Sequence, residues 1–376
     1  MTIDIIGAGI AGLTSAIALN QNGFKVNVFE QADRIKPLGA GIILANNAMQ
    51  VFDKLGLKNQ IEQAGNVISF IKITDSQLKP ISIVDLNHFE QKYKVKNIAI
   101  HRGILQEILL NNIPVESLKT GYELIDVKQN DTLKLRFNNK KEHNSELLLA
   151  ADGINSIVRN QLFSENTIRW TNQICWRGIA EFNLSKKFKN ELNEAWGKGD
   201  RIGFVQIQDN KVYWYALKTF KQNPDEYAKE QLALYFVKYH PLVKTLIENT
   251  PTESIHKSII SDLKPVKKWF KNNVCLIGDA AHATSPNMGQ GACQGVEDAF
   301  VLANCLKHNQ SEKAFFEYQK IRQAKAHFIV NISRTMGKMA HFENEMAIWC
   351  RNLFLKTSPE FLKRKQSEKI FEIKSI

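Results

Sequence analysis

The chain has 376 residues, 44% of them hydrophobic and 23% charged, proportions ordinary for a globular enzyme long enough to hold two domains. No run approaches the roughly 18 apolar residues of a membrane span, and the net charge of +12 is carried by scattered lysines with no nucleic-acid motif, which reads as a solvated surface first and attraction of an anionic cofactor second. The five cysteines form no CxxC pair and no zinc spacing, so neither a dithiol redox couple nor a metal site is expected.

Thr2–Ile6 reads as a short buried strand. Gly7-Ala8-Gly9-Ile10-Ala11-Gly12 follows at once, then a helix over Leu13–Asn22 and a strand at Val26–Phe29 that ends in Glu30. The glycines answer a steric requirement: Gly7 for a tight turn, Gly9 for backbone approach to a pyrophosphate, Gly12 for close helix–strand packing. Phosphate would sit on exposed N–H groups at the positive end of the helix dipole, and Glu30 is placed to accept hydrogen bonds from ribose hydroxyls. A lone GxGxxG is weak evidence, but strand, glycines, helix, strand and acid in order are strong. The first apolar run leads straight into the glycine turn rather than reading as a signal peptide, so a cytoplasmic protein is expected.

Val67–Thr74 and Ile81–Leu86 read as strands, and the period turns helical over Arg102–Leu109. Glu123–Lys128, Leu133–Phe137 and Glu146–Ala150 read as a three-stranded meander leading into Asp152-Gly153, which taken alone is a turn before a helix capped near Ser156. The chain is β-rich from Gln173 to Thr219, with strands at Ile174–Phe182, Arg201–Gln208 and Lys211–Lys218 and a hairpin turn at Asp209-Asn210. Pro224–Val243 looks helical.

A second glycine site closes the pattern. The strand Val274–Ile277 ends in Gly278-Asp279, and His282, Pro286-Asn287-Met288-Gly289-Gln290-Gly291 and a helix over Gln294–Leu306 follow. Asp279 can hold a ribityl or ribose hydroxyl. Gly289-Gln290-Gly291 offers bare N–H groups to a developing negative charge, such as the N1/O2 edge of a reduced flavin, and Pro286 fixes the loop. His282 invites a catalytic role, but a hydrogen-bonded structural histidine is the favoured reading. The basic amphipathic stretch Glu312–Met346 is expected to pack across the two halves of the molecule rather than touch a membrane.

Motifs at both ends of a chain require a discontinuous domain. The expected fold is α/β: a GxGxxG Rossmann-like FAD-binding domain from 1–66, 96–170 and 265–310, a β-sheet substrate domain from 67–95 and 171–264, and C-terminal helices over 311–376. A dinucleotide gripped from both ends points to a permanently held cofactor, FAD rather than a visiting NAD.

Carried on these motifs, the chain resembles, over nearly its whole length, a class A flavoprotein monooxygenase of the para-hydroxybenzoate hydroxylase superfamily. Pro286 to Cys293 is similar to the urate hydroxylase and zeaxanthin epoxidase branch. The resemblance implies that Gly7, Gly9, Gly12 and Glu30 bind the ADP half of FAD and that the motif Gly39 to Ile42, with Gly41 and Ile42, lines the flavin. It places Arg102 near the ribityl-pyrophosphate, Asp152 and Gly153 with FAD and NAD(P)H, and Asp279 on FAD. The cofactor-binding set also takes in Ala11, Arg34, Gly278, Gly289, Gly291 and Ala292. NAD(P)H would reduce FAD transiently, and the reduced flavin with O2 would form a C4a-hydroperoxide. One oxygen would then hydroxylate or epoxidise a small aromatic, heterocyclic or isoprenoid substrate.

The catalytic candidates are Arg201, Pro286, Gly289, Gln290 and Gly291. Arg201 either faces the flavin, as an arginine does in the urate hydroxylase branch, or is a solvent-exposed edge residue. Trp176, Arg177, Tyr213 and Tyr215 alternate so that some could reach the cofactor face, although packing between sheet and flavin domain is the favoured account. Two other readings stay open: an FAD-dependent reductase of isoprenoid double bonds, and a non-catalytic prenyl-protein escort, against which Gly289-Gln290-Gly291 argues. The partners expected are a small-molecule substrate and O2, with no nucleic acid and no membrane, for a monomer or homodimer.

Overall fold

Runs such as Ile3–Ile6, Leu147–Ala150 and Val274–Leu276 are buried from end to end, the pattern of parallel strands covered on both faces. In the computed structural model, which describes residues 1–35, 40–163, 168–221, 223–224 and 227–374, they build the centre of a six-stranded sheet. Its order is Phe270–Lys271, Val274–Leu276, Leu147–Ala150, Thr2–Ile6, Lys25–Glu30, Leu118–Thr120. All neighbours are parallel except at the Phe270–Lys271 edge. The helix Ile10–Gln21 returns between the first two strands in sequence and packs on the helix Gly291–His308, so the two glycine sites lie in one layer.

The meander differs from the sequence reading. Its third strand is Glu142–Ser145, beside Leu133–Phe137 and Leu124–Gln129. Leu147–Ala150 belongs instead to the parallel sheet, because a strand buried at every position needs cover on both faces and the central slot beside Thr2–Ile6 supplies it. Val67–Thr74 also divides. Asn66–Ile68 joins Asn97–His101 and Gly41–Leu44 in a small antiparallel sheet, while Phe70–Thr74 enters a larger one.

That larger sheet has seven strands in the order His256–Leu263, Ile168–Glu181, Lys211–Thr219, Asp200–Gln208, Glu191–Trp196, Phe70–Thr74, Pro80–Asp85. Glu191–Trp196 has no counterpart in the sequence reading. One face of this sheet carries Trp176, Phe204 and Trp214 into a core with Phe236, Val243 and Leu246. The other sends Val205, Ile207 and Tyr213 into the core shared with the dinucleotide sheet. Side chains alternate along a strand, so the sheet presents one face to its own helices and the other to the glycine sites.

Between Pro224 and Val243 the structure has a short helix, Leu232–Tyr235, and the start of another, Pro241–Glu248, with proline in its first turn. The long amphipathic stretch is the helix Ser311–Ala340. It buries Phe315, Tyr318, Arg322, Ile329, Ser333 and Gly337 along one face, then gives way to Glu345–Thr357, capped by Asn344, and Glu360–Phe371. Among the described residues no helix is long and apolar enough to cross a membrane.

Candidate active site

At the first glycine site Gly7 holds φ +101, and a Cβ there would lie 2.5 Å from the Ala151 carbonyl oxygen. At Gly12 a Cβ would lie 2.0 Å from the Gly7 carbonyl oxygen. Both glycines therefore serve the protein's own packing. Gly9 differs: it caps the helix with an ordinary φ of −73, and a Cβ would meet nothing within 4 Å. Glu30 accepts from the Ala8 N–H at 2.9 Å and the Ala32 N–H at 3.0 Å, which fixes its carboxylate beside the turn. Arg34 is exposed. Gly39 lies outside the described residues; Gly41 and Ile42 pair with His101 and Ile100.

The second site meets the first through Ala11. A Cβ on Gly278 or on Gly295 would lie 2.9 Å from the Ala11 methyl, so Gly278 lets the turn after Val274–Leu276, and Gly295 the helix Gly291–His308, close onto the helix Ile10–Gln21. Gly278 takes φ +57, and its N–H donates to Asp298 at 2.9 Å. Asp298 also meets His282 at 2.5 Å and Arg322 at 2.8 Å, all three buried. Burial alone would raise the Asp298 carboxyl, but His282 and Arg322 outweigh it and hold it well below the usual range. His282 is thus a structural member of a buried ionic network that anchors the turn before Asp279.

Asp279 is exposed to solvent, yet the surrounding protein raises its pKa by desolvation, against the opposing pull of His282 and Arg102. Asp152 is likewise raised by burial. Its Oδ2 accepts from the Val158 N–H at 3.2 Å, while Oδ1 has no protein partner.

Pro286 and Gly289 are exposed, and Gly289 has φ +60 with open space where a side chain would be. Its own N–H is already given to the Pro286 carbonyl at 3.0 Å, so the unpaired donors are those of the first turn of Gly291–His308, where Gly291 and Ala292 lie half-buried. The Gln290 side chain turns away from this loop. It is buried and accepts from Asn47 at 3.2 Å and Gln294 at 3.1 Å, so the side chain does not reach the exposed face of the loop.

Register places the rest. Arg201 pairs with Leu217, Gly203 with Tyr215 and Arg177 with Tyr215, which puts Arg201, Arg177, Tyr213 and Tyr215 on the face toward the glycine sites. Trp176 falls on the opposite face. Arg201 is 1% exposed, not a solvent-exposed edge residue. Its guanidinium donates to Glu194 at 3.0 Å and to the Asn287 side-chain oxygen. Glu194 is the residue that sequence reasoning missed. Its strand reads Glu-Leu-Asn-Glu-Ala-Trp, and the only signal was the alternation of Leu192, Glu194 and Trp196.

The residues present fit an elongated dinucleotide. Gly9, Gly153 and Gly289 come from three distant segments, and at each a Cβ would point into open space. Bare helix N-termini suit a pyrophosphate and a developing anion, and the Glu30 and Asp279 carboxylates could accept from hydroxyls. Among the described residues no group of His, Cys, Asp and Glu could hold a metal ion.

The FAD binding domain family matches residues 1–331. The chain is 34% identical over 362 residues to aurachin C monooxygenase/isomerase of Stigmatella aurantiaca, covering 95% of this chain and 94% of that protein. It is 29% identical over 386 aligned positions to 2-heptyl-3-hydroxy-4(1H)-quinolone synthase of Pseudomonas aeruginosa, covering 99% and 98%. The structure of Klebsiella pneumoniae HpxO complexed with FAD and uric acid shares the fold with a TM-score of 0.89 at 23% identity, covering 98% of this chain and 96% of that one.

Proposed function

The chain belongs to the FAD binding domain family and is a flavoprotein monooxygenase; from that premise we propose that it hydroxylates a planar N-heteroaromatic compound of the 4(1H)-quinolone class. FAD, when bound, supplies the activation of O2, with NAD(P)H as the transient source of electrons. Gly9, Glu30 and the start of the Ile10–Gln21 helix would hold its ADP half. Gly41, Ile42, Arg102, Asp152, Gly153 and Asp279 would line the remainder, with the first turn of Gly291–His308 at the ring. On this reading 1–66, 96–170 and 265–310 form the cofactor domain, 67–95 and 171–264 the substrate domain, and 311–376 the helical cover. The protein would work in the cytoplasm as a monomer or homodimer.

The observation that carries the reading is the hydrogen bond from Arg201 to Asn287. It joins the inner face of the seven-stranded sheet to the Pro286–Gly291 loop, so a substrate on that face would lie against the reactive edge of the cofactor. Val205, Ile207 and Tyr213 are buried on that face and would help to keep water from the reacting atoms. The quinolone class is supported by the name of the Pseudomonas aeruginosa relative, whose match covers nearly the whole chain. A reductase or an escort role is not favoured, because the relatives are monooxygenases and hydroxylases.

The test is NAD(P)H oxidation by the purified yellow holoprotein with 2-alkyl-4(1H)-quinolones, followed by product mass. Stimulated oxidation and a product one oxygen heavier are expected. Failure of quinolones and of other N-heteroaromatics to stimulate oxidation overturns the substrate class. Arg201→Ala should lower coupling while FAD stays bound.

A further inference from the structure

Glu194 sits opposite Gly203 in the register of the seven-stranded sheet. Its Oε1 accepts from Arg201 at 3.0 Å and from the Trp196 indole N–H at 2.5 Å, and its Oε2 accepts from the Tyr215 hydroxyl. Gly203 makes this possible: a Cβ there would lie 2.2 Å from the Tyr215 ring, so the ring crosses the glycine to reach the carboxylate. Trp196 is held in turn from outside by the Arg351 guanidinium, 5.1 Å from its ring. The Glu194 side chain is 12% exposed and that of Arg201 1%. The carboxylate has three donors, and the buried cation is matched by a buried anion at hydrogen-bond distance.

We propose that Glu194 is a specificity-determining residue: by cancelling the charge of Arg201 it directs the site to an uncharged ring bearing N–H and carbonyl groups and away from aromatic carboxylates. The inference rests on the monooxygenase reading and adds a charge rule to it. A carboxylate brought to the Arg201 end meets Glu194 in a site with little water to screen the repulsion. A neutral heteroaromatic meets no such penalty and can use the hydrogen-bonding edge of Arg201, Asn287 and Tyr215. Arg177 is the other arginine on this face. It stands across Tyr215 from Gly203, 3.3 Å from the Ser258 hydroxyl, and has no carboxylate within ion-pair distance among the described residues.

The experiment measures binding by perturbation of the flavin spectrum, so it needs no turnover. Two probes are titrated into FAD-loaded protein: a 2-alkyl-4(1H)-quinolone and 3-hydroxybenzoate. The wild type should bind the quinolone at least about tenfold more tightly. Glu194→Gln keeps the shape and an acceptor but leaves Arg201 unmatched. In it the benzoate should bind about tenfold more tightly than in the wild type, with the quinolone changed by less than about threefold. Arg177 is present in both proteins and drops out of their comparison. Unchanged benzoate affinity in Glu194→Gln, or equal binding of both probes by the wild type, overturns the proposal. Should Glu194→Gln not be recovered with FAD, the double variant Glu194→Gln/Arg201→Gln removes both charges. It should keep the wild-type order of the two probes, and a preference for benzoate overturns the proposal. A quinolone that fails to bind any of these proteins sinks the substrate class alone, since the benzoate comparison still reads Glu194.

Discussion

The ring of Tyr213 lies directly on Gly41: a Cβ added to the glycine would sit 2.4 Å from the tyrosine Cγ. One residue belongs to the seven-stranded sheet and the other to the strand Gly41–Leu44, so this contact sets how closely the sheet approaches the cofactor segments. Burial raises the Tyr213 phenol well above its ordinary value, and it stays neutral.

Gly41→Ala should therefore destabilise the protein by about 1–3 kcal/mol through overpacking. Tyr213→Ala, which removes the Cγ and Cδ1 atoms from that contact, should return part of that loss in the same chain. Denaturant melts of the two single variants and the double variant check it, and strictly additive losses would mean that the two positions are uncoupled.

Gly9 and Gly12 should separate cofactor binding from folding. Gly9→Ala adds a methyl where no protein atom lies within 4 Å, so the apoprotein should melt within about 1 kcal/mol of wild type. Its FAD dissociation constant should rise at least about tenfold. Gly12→Ala drives a methyl onto the Gly7 carbonyl, so the apoprotein itself should be lost or badly destabilised. Fluorescence titration of FAD beside apoprotein melts distinguishes the two.

His341 makes the fold sensitive to mild acid. Burial first, and the nearby Arg201 charge second, push its pKa down to about 3. Its Nδ1 bonds to the Gly199 carbonyl at 3.1 Å and the Thr219 hydroxyl at 3.0 Å. The unfolded chain takes up a proton near pH 6.5, which the folded state refuses until about pH 3. Stability is thus complete above pH 6.5 and falls as pH drops through that window. Urea midpoints from pH 7 to 5 should decline in the wild type, with a flatter decline in His341→Gln.

Of the five cysteines, Cys175, Cys275, Cys293 and Cys305 are buried and Cys350 is exposed. Burial pushes the Cys293 thiol up to about 12 and Cys305 up to about 11, so neither forms thiolate readily. A thiol reagent should titrate one fast group in native protein and five in denaturant, and Cys350→Ser should abolish the fast one.

The βαβ opening, the Asp152-Gly153 turn and the hairpin at Asp209-Asn210 were legible because each is decided within a few neighbouring residues. Asn210 takes φ +53 at that turn, a conformation asparagine tolerates. The family resemblance rested on the same short motifs, which specify backbone shape around phosphates. Glu191–Trp196 escaped because an acid-rich hexapeptide reads as a loop until partners bury it on both sides.

What the sequence alone determined is the identity of the cofactor scaffold: glycines and acids whose spacing follows from local backbone geometry. What the tertiary structure decided is which side chains share the inner face of the seven-stranded sheet. A shift of one residue between the strands carrying Glu194, Arg201 and Tyr215 would turn that trio away from the loop at Asn287. Pairing register depends on the whole sheet, and no short window of sequence contains it. The same holds for Gln290, a natural candidate by position that the buried Asn47 draws away from the loop.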